Sequence, residues 1–133
     1  MINAEIDIYN LIATRLYSEF PGISVSSELV LEPSKFPSVS IEEADNFTLR
    51  SSQDSSNNEN HATLMYEVNA FSNKPNGRKI ECVSIFSTLD EEFLKMGFTR
   101  TMKRPFSMNT STSYRLIGRY TANISKDKVV YRR

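Results

Sequence analysis

The residues of this 133-residue chain that could do chemistry are few and stand apart. His61 is its one histidine, and no cluster of histidines or cysteines accompanies it to complete a metal site. Cys82, the one cysteine, falls on the apolar stripe of a predicted helix and has no second cysteine to pair with. We therefore expect a surface histidine and a small buried thiol in a reducing cytoplasm.

Acidic residues occur side by side at Glu42-Glu43 and at residues 90–92. Neighbours on a strand or a helix point in different directions, so these acids predict solvated charges rather than a catalytic pair. The four glycines are scattered and form no phosphate-binding loop. The sequence therefore favours a non-enzymatic protein without cofactor or metal.

Composition indicates one domain. An apolar content of 39% with 11% aromatic residues is typical of a globular protein of this length. No apolar run approaches the roughly 20 residues of a membrane span, and the first residues lack the pattern of a signal peptide. We expect a single domain over residues 1–124, a basic arm over residues 125–133, and no membrane partner.

The formal net charge of zero hides an asymmetry between the two parts of the chain. Residues 1–60 contain ten acidic and three basic side chains, a balance of −7, whereas residues 61–133 contain 13 basic and six acidic ones, a balance of +7. Folding could bring the two parts together and cancel these charges. Alternatively, the protein has a bipolar surface, which suits a subunit that meets copies of itself head to tail.

The residue pattern of segment 61–97 indicates that it forms the centre of the fold. Residues 61–71 alternate between apolar and polar side chains, which indicates a strand with one buried face. A turn follows, and a helix is predicted from about 78 to 96, ended by Gly97 in a left-handed cap. The helix has one apolar stripe, formed by Cys82, Ile85, Phe86, Leu89, Phe93 and Met96.

The remaining elements surround this unit. A first helix is predicted to begin after an Asn3 cap and to run to about Glu19. Strands are predicted at 23–31, 38–42 with an irregular extension toward 49, 98–104 and 114–124. The order α1-β1-β2-β3-α2-β4-β5 predicts an α+β fold with two helices on one face of a mostly antiparallel sheet. The expected core arc of the first helix is Ile2, Ile6, Tyr9, Ala13, Leu16 and Phe20.

Three surfaces stand out as candidates for assembly. The sheet face without helices is half polar. Residues 50–60 contain no apolar side chain, which predicts either a flexible hairpin loop or a protruding loop that becomes ordered only against a partner. Ile80, Val83 and Leu94 lie off the stripe of the second helix, so either that helix is buried more broadly or these residues touch another subunit.

One binding module has a similar layout. An α-β-β-β-α order with Lys74, Arg78 and Lys79 at the start of the second helix resembles a double-stranded-RNA-binding domain. That domain is about half this length, and its loop and helix motifs are missing here. Glu81 and the acidic first part would also repel a phosphate backbone. We expect no specific nucleic-acid partner.

Short stretches along nearly the whole chain carry a stronger resemblance. They are PSKFPSVSI at 33–41, QDSS at 53–56, residues 59–68, 74–82 and 96–100, and the segment from 114–116 through 130–133. In these stretches the chain resembles the tail terminator (tail completion, or minor capsid) proteins of tailed phages and phage-tail-like particles of Gram-positive bacteria. The related head-tail joining (neck) proteins share the fold and stay open as an alternative.

The resemblance implies a structural virion protein at the head-proximal end of the tail, made in the bacterial host cytoplasm. It implies a small α+β subunit that forms a hexameric ring on the tail tube, stops tube growth and offers a docking face for the head or collar. The implied partners are copies of the chain, the tail tube protein and a head-neck or collar protein, with sheath protein as a further candidate. No cofactor is implied. From charge and composition, the candidate interface residues are Arg50, Asp54, Glu59, Arg104, Arg115, Arg119, Lys126, Lys128, Tyr131, Arg132 and Arg133.

Overall fold

The computed structural model describes residues 3–31, 33–48, 61–106 and 113–125. It has the predicted α+β fold and the predicted order of elements. Both helices pack on the same face of a five-stranded sheet. Among the described residues, no helix has the length and hydrophobicity needed to cross a membrane. The elements are α1 (Glu5–Glu19), β1 (Ser24–Ser26), β2 (Ser38–Thr48), β3 (His61–Ser72), α2 (Arg78–Lys95), β4 (Thr99–Pro105) and β5 (Tyr114–Ser125).

The strand order in the sheet is β1-β2-β3-β5-β4. β1 is parallel to β2, and the other three pairs are antiparallel. The β2–β3 register shifts between Glu43 and Asp45, and the β4–β5 register shifts between Arg100 and Met102. β3 and β5, the two longest strands of the centre, are paired over their whole length from His61↔Ser125 to Ser72↔Tyr114.

The core lies between the helices and one face of the sheet. The predicted apolar face of β3 is confirmed, since each of its alternate residues is at most 1% exposed. The α2 stripe covers this face, and Phe93 stacks on Tyr120 at 4.4 Å between ring centroids with an interplanar angle of 8°. Such offset aromatic pairs add to the stabilisation from apolar burial. The β3 face consists of Ala62, Leu64, Tyr66, Val68 and Ala70.

The C-terminus of α2 is capped as predicted. Gly97 has a φ of +94°, and its backbone N–H donates to the Leu94 carbonyl at 3.0 Å. The Phe98 N–H donates to the Phe93 carbonyl at 3.0 Å. Together these bonds form a Schellman motif, in which a residue without Cβ takes the left-handed position.

The predicted core arc of α1 is wrong in part. Ile6 is 68% exposed, whereas Ile8 and Ile12, outside the predicted arc, are buried at 6% and 0%. α1 has apolar residues on most of its circumference, so its own periodicity did not select the face that packs. Asn3 also lies one residue before the cap position, which Ala4 occupies; the Asn3 Oδ1 accepts a 3.3 Å hydrogen bond from the Glu5 N–H.

Several strand bounds also differ from the prediction. The predicted strand 23–31 is reduced to Ser24–Ser26, because the chain must leave the sheet to cross over to its parallel neighbour. β2 continues through the register shift to Thr48, as its predicted extension required. Pro105 belongs to β4, at the sheet edge, where a strand tolerates proline. Ser125 still belongs to β5, and residues 126–133 of the predicted arm lie outside the described residues.

Candidate assembly surfaces

The sheet face without helices combines polar and apolar side chains, as the alternation predicted. Cross-strand pairs link its polar residues: Arg119 Nε donates to the Glu67 carboxylate at 3.0 Å, and Thr63 Oγ1 donates to Asn123 Oδ1 at 2.7 Å. Opposite-charge and polar pairs of this kind stabilise neighbouring strands. Arg119, a predicted interface residue, keeps 48% of its side chain exposed beside this ion pair.

Arg115, another predicted interface residue, lies inside a cluster on this face and is only 6% exposed. Its Nε donates to Asn69 Oδ1 at 2.9 Å. The guanidinium carbon is 5.3 Å from the ring centroid of Phe71 and 4.4 Å from that of Phe106. Among the described residues no carboxylate forms an ion pair with it, and burial lowers the pKa of Arg115 below its usual value. The Arg115 guanidinium is therefore stabilised by the rings of Phe71 and Phe106 and by the Asn69 amide oxygen.

Arg104 is exposed on β4, where the prediction placed it. The other eight predicted interface residues lie outside the described residues. These are Arg50, Asp54, Glu59, Lys126, Lys128, Tyr131, Arg132 and Arg133. The interface role of all eleven residues stays a prediction.

The two edges of the sheet differ in charge. In β4 every residue except the half-buried Met102 is exposed, and the strand has three basic side chains, Arg100, Lys103 and Arg104, and no acidic one. At the other edge, β1 is short and pairs only with the first three residues of β2, Ser38–Ser40. The rest of β2 has three acidic side chains and no basic one, and these are Glu42, Glu43 and Asp45.

The outer face of α2 has an exposed apolar strip. Ile80 is 74% exposed, Val83 38% and Leu94 48%. Burial of α2 extends beyond the predicted stripe to Thr88 and Glu92, but the described residues do not cover Ile80, Val83 or Leu94, so broader burial does not account for this strip. Exposed apolar residues that share a helix face are typical of protein contacts, so the strip remains a candidate surface for another subunit.

The two helices are joined by a cluster of ion pairs that sequence reasoning missed. Arg15 of α1 reaches across to α2, where its Nη1 lies 2.6 Å from a Glu92 oxygen and 3.2 Å from a Glu91 oxygen. Glu19 accepts from Arg15 Nε at 3.0 Å and from the Thr88 hydroxyl at 2.9 Å. The spacing of Arg15 and Glu19 suggests a helical ion pair. No local signal reveals contacts across more than 70 residues of chain.

The residues that could do chemistry are separated from one another. Cys82 is buried, and burial raises the pKa of its thiol to about 12, as expected of a core thiol. Glu42 and Glu43 point apart as predicted: Glu42 accepts from the Leu29 N–H at 3.4 Å, whereas Glu43 accepts from the Tyr66 hydroxyl on the helix side at 3.4 Å. For residues 90–92 the prediction of solvated, diverging acids is wrong in part, because Glu91 and Glu92 both reach Arg15 and Glu92 is only 8% exposed. His61 is half-buried at the start of β3. Within the described ranges no three metal-ligating side chains come together.

A pocket of about 260 Å³ opens between α1 and the sheet. Its described lining is apolar except for Asp7, so it lacks the convergent polar groups that orient a small ligand. The apolar lining residues are Ala4, Ile8, Leu11, Met96, Phe98 and Ile124.

Comparison with known proteins gives no family model and no curated protein that matches this chain.

Proposed function

We propose that this protein is a non-enzymatic ring subunit that caps a phage tail tube, ends its polymerisation and provides the docking face for the head or collar. The proposal is supported by the stretches that resemble tail terminators and by the distribution of charge in the fold. The single observation that carries it is the opposite charge of the two sheet edges, acidic along β2 and basic along β4.

This distribution favours one kind of self-association. A two-fold dimer through one edge brings a patch against its own copy, so basic would meet basic or acidic would meet acidic. A head-to-tail contact brings the basic edge of one copy to the acidic edge of the next. Heterologous contacts of this kind close into rings when the rotation between copies allows it. A ring leaves two annular faces, one for the tube and one for the head or collar.

The second candidate is a head-tail joining (neck) protein of the same fold, which would use the same ring contacts and differ in what its annular faces bind. The distinction lies in the partner. A terminator binds the end of the tube and stops its growth, whereas a joining protein binds the head side and leaves tube growth unchanged.

Native mass spectrometry of the purified protein, alone and with tail tube protein, tests the proposal. We expect a hexamer and a complex with the tube, and we expect tubes grown in its presence to stop lengthening. A protein that stays monomeric both alone and with tube protein would overturn the proposal. Salt-sensitive retention on duplex RNA would instead support the RNA-binding alternative, because phosphate contacts weaken as salt rises.

A further inference from the structure

Two strand edges of this sheet have no neighbouring strand among the described residues, although the Leu29 N–H donates to the Glu42 side chain of β2 at 3.4 Å. β4 pairs with β5 on one side only. β2 pairs with β1 only at Ser38–Ser40, so the part of β2 from Ile41 to Thr48 has β3 on one side and no described strand on the other. Unpaired edges present rows of N–H and C=O groups that can accept another strand.

The charges of these two edges are complementary on both faces of the sheet. On the helix side, Arg100 reaches Asp90 of α2 and Lys103 lies over the Phe86 ring, while Glu43 reaches Tyr66. The opposite face has acidic side chains at the β2 edge, Glu42 and Asp45, and one basic side chain at the β4 edge, Arg104. Each face thus offers basic groups at one edge and acidic groups at the other.

Strand direction allows these edges to meet. β2 is antiparallel to β3, β3 to β5, and β5 to β4, so β4 and β2 run in opposite directions. When two copies lie side by side with their helices on the same side, β4 of one copy therefore faces β2 of the next in an antiparallel sense. An antiparallel ladder is the slightly more stable arrangement.

We propose that β4 of one copy pairs with Ile41–Thr48 of β2 in the next copy, so that one sheet continues from subunit to subunit. This inference rests on the self-association in the proposed function and specifies its interface. Backbone hydrogen bonds join the copies, and the charges select the partner edge. Pairing of β4 with β4, or of β2 with β2, places like charges opposite each other and is disfavoured.

Charge reversal tests the pairing. One variant, Lys103→Glu with Arg104→Glu, makes the β4 edge acidic, and the other, Glu42→Lys with Asp45→Lys, makes the β2 edge basic. Each variant alone then has two edges of the same sign, and we expect its assembly midpoint to shift by about tenfold or more. In an equal mixture every β4 edge finds a complementary β2 edge if the variants alternate. We therefore expect the mixture to restore assembly with equal numbers of both subunits.

Native mass spectrometry with one variant carrying heavy isotopes measures the ratio. Lys74→Glu with Lys79→Glu is the matched control, because it makes a charge change of the same size at exposed positions near the start of α2, away from both edges. We expect it to assemble like the wild type. Thermal melting of each variant checks folding, and the single changes Arg104→Glu and Asp45→Lys replace a double variant that does not fold.

Three results would overturn the pairing. They are reversal variants that assemble as well as the wild type, folded variants whose mixture stays unassembled, and mixed rings in which the two variants do not alternate. Any of these results would leave the proposed function standing, provided that the wild type assembles. A wild type that stays monomeric with and without tube protein overturns the proposed function and this pairing together.

Discussion

Replacing Gly118 by alanine would test how the second helix meets the sheet. Gly118 lies within β5 beneath Phe86 of α2, and a Cβ at this position would be 2.4 Å from Phe86 Cζ and 2.6 Å from Cε2. Ordinary carbon contacts begin at roughly 3.5 Å. The Phe86 ring would have to retreat by about 1 Å, but it is 2% exposed and packs on Tyr120 at 6.4 Å between centroids.

We expect Gly118→Ala to lower the free energy of unfolding by about 1–3 kcal/mol, the usual cost of one extra carbon in a filled core. An unfolding entropy of about 2.1 cal/mol/K per residue gives roughly 0.28 kcal/mol/K for 133 residues. The expected fall in Tm is therefore about 4–11 °C, measured by calorimetry or circular dichroism.

A double-mutant cycle with Phe86→Leu isolates the clash, because leucine lacks the two ring atoms that the added methyl group would meet. We expect the two changes together to cost at least about 1 kcal/mol less than their sum. Gly77→Ala is the control: Gly77 has a φ of +95° with nothing within 4 Å of its Cβ position, so its cost is backbone strain and does not couple to Phe86→Leu. A Gly118→Ala protein as stable as the wild type, or a cycle without coupling, would refute the argument.

Three further predictions follow from buried or paired groups. Arg15→Gln should lower Tm near neutral pH but progressively less at acidic pH, because the Arg15 hydrogen bonds hold the pKa of Glu91 below its usual value, and Thr88 followed by Arg15 does the same for Glu19. A carboxylate whose pKa is lowered in the folded protein stabilises the fold at pH values above its unfolded pKa, and this stabilisation is lost as the pH falls through its folded pKa. A Tm difference between wild type and Arg15→Gln that stays the same from pH 7 to about 3 would contradict this. Cys82, with its pKa raised to about 12 by burial, should react with Ellman's reagent only as the protein unfolds; rapid labelling of native protein would place the thiol at the surface. Tyr120→Phe removes the 2.6 Å hydrogen bond from the Tyr120 hydroxyl to the Asp90 carboxylate, which keeps its ion pair with Arg100. Chemical denaturation should therefore show a free energy of unfolding lower by about 1 kcal/mol. An unchanged free energy of unfolding would mean that this hydrogen bond makes no net contribution.

The centre of the fold was predictable because its sequence is consistent at every level. β3 alternates without error over its apolar face, α2 has one stripe, and Gly97 stands at the one position where the helix cap requires a positive φ. These are local signals, and packing agreed with them except at Asn69 and Phe71 of β3 and at Thr88 and Glu92 of α2, which are also buried. Gly118 is a local signal that the sequence prediction missed, because an isolated glycine within a strand pattern indicates a close approach of another group.

The remaining differences arise from contacts between distant parts of the chain. α1 is apolar on several sides, so its buried face depended on where α2 and the sheet lie. Arg115 has the charge of a surface residue, but Phe71 and Phe106 enclose it, and nothing near it in sequence indicates such an aromatic cluster. The ion pairs of Arg15 with α2 join residues 76 and 77 positions apart.

The charge on the sheet edges has two physical explanations, and their signs distinguish them. Charged residues on an edge strand protect a protein from uncontrolled pairing, and for this purpose both edges would best have the same sign, since like edges repel in every combination. Here β4 is basic and the free part of β2 is acidic, so the one combination that is not repelled is β4 against β2. If the charges served only to prevent pairing, the combination of β4 with β2 would be expected to repel as well. An edge pattern that blocks both symmetric pairings and permits the head-to-tail one is what a ring subunit requires.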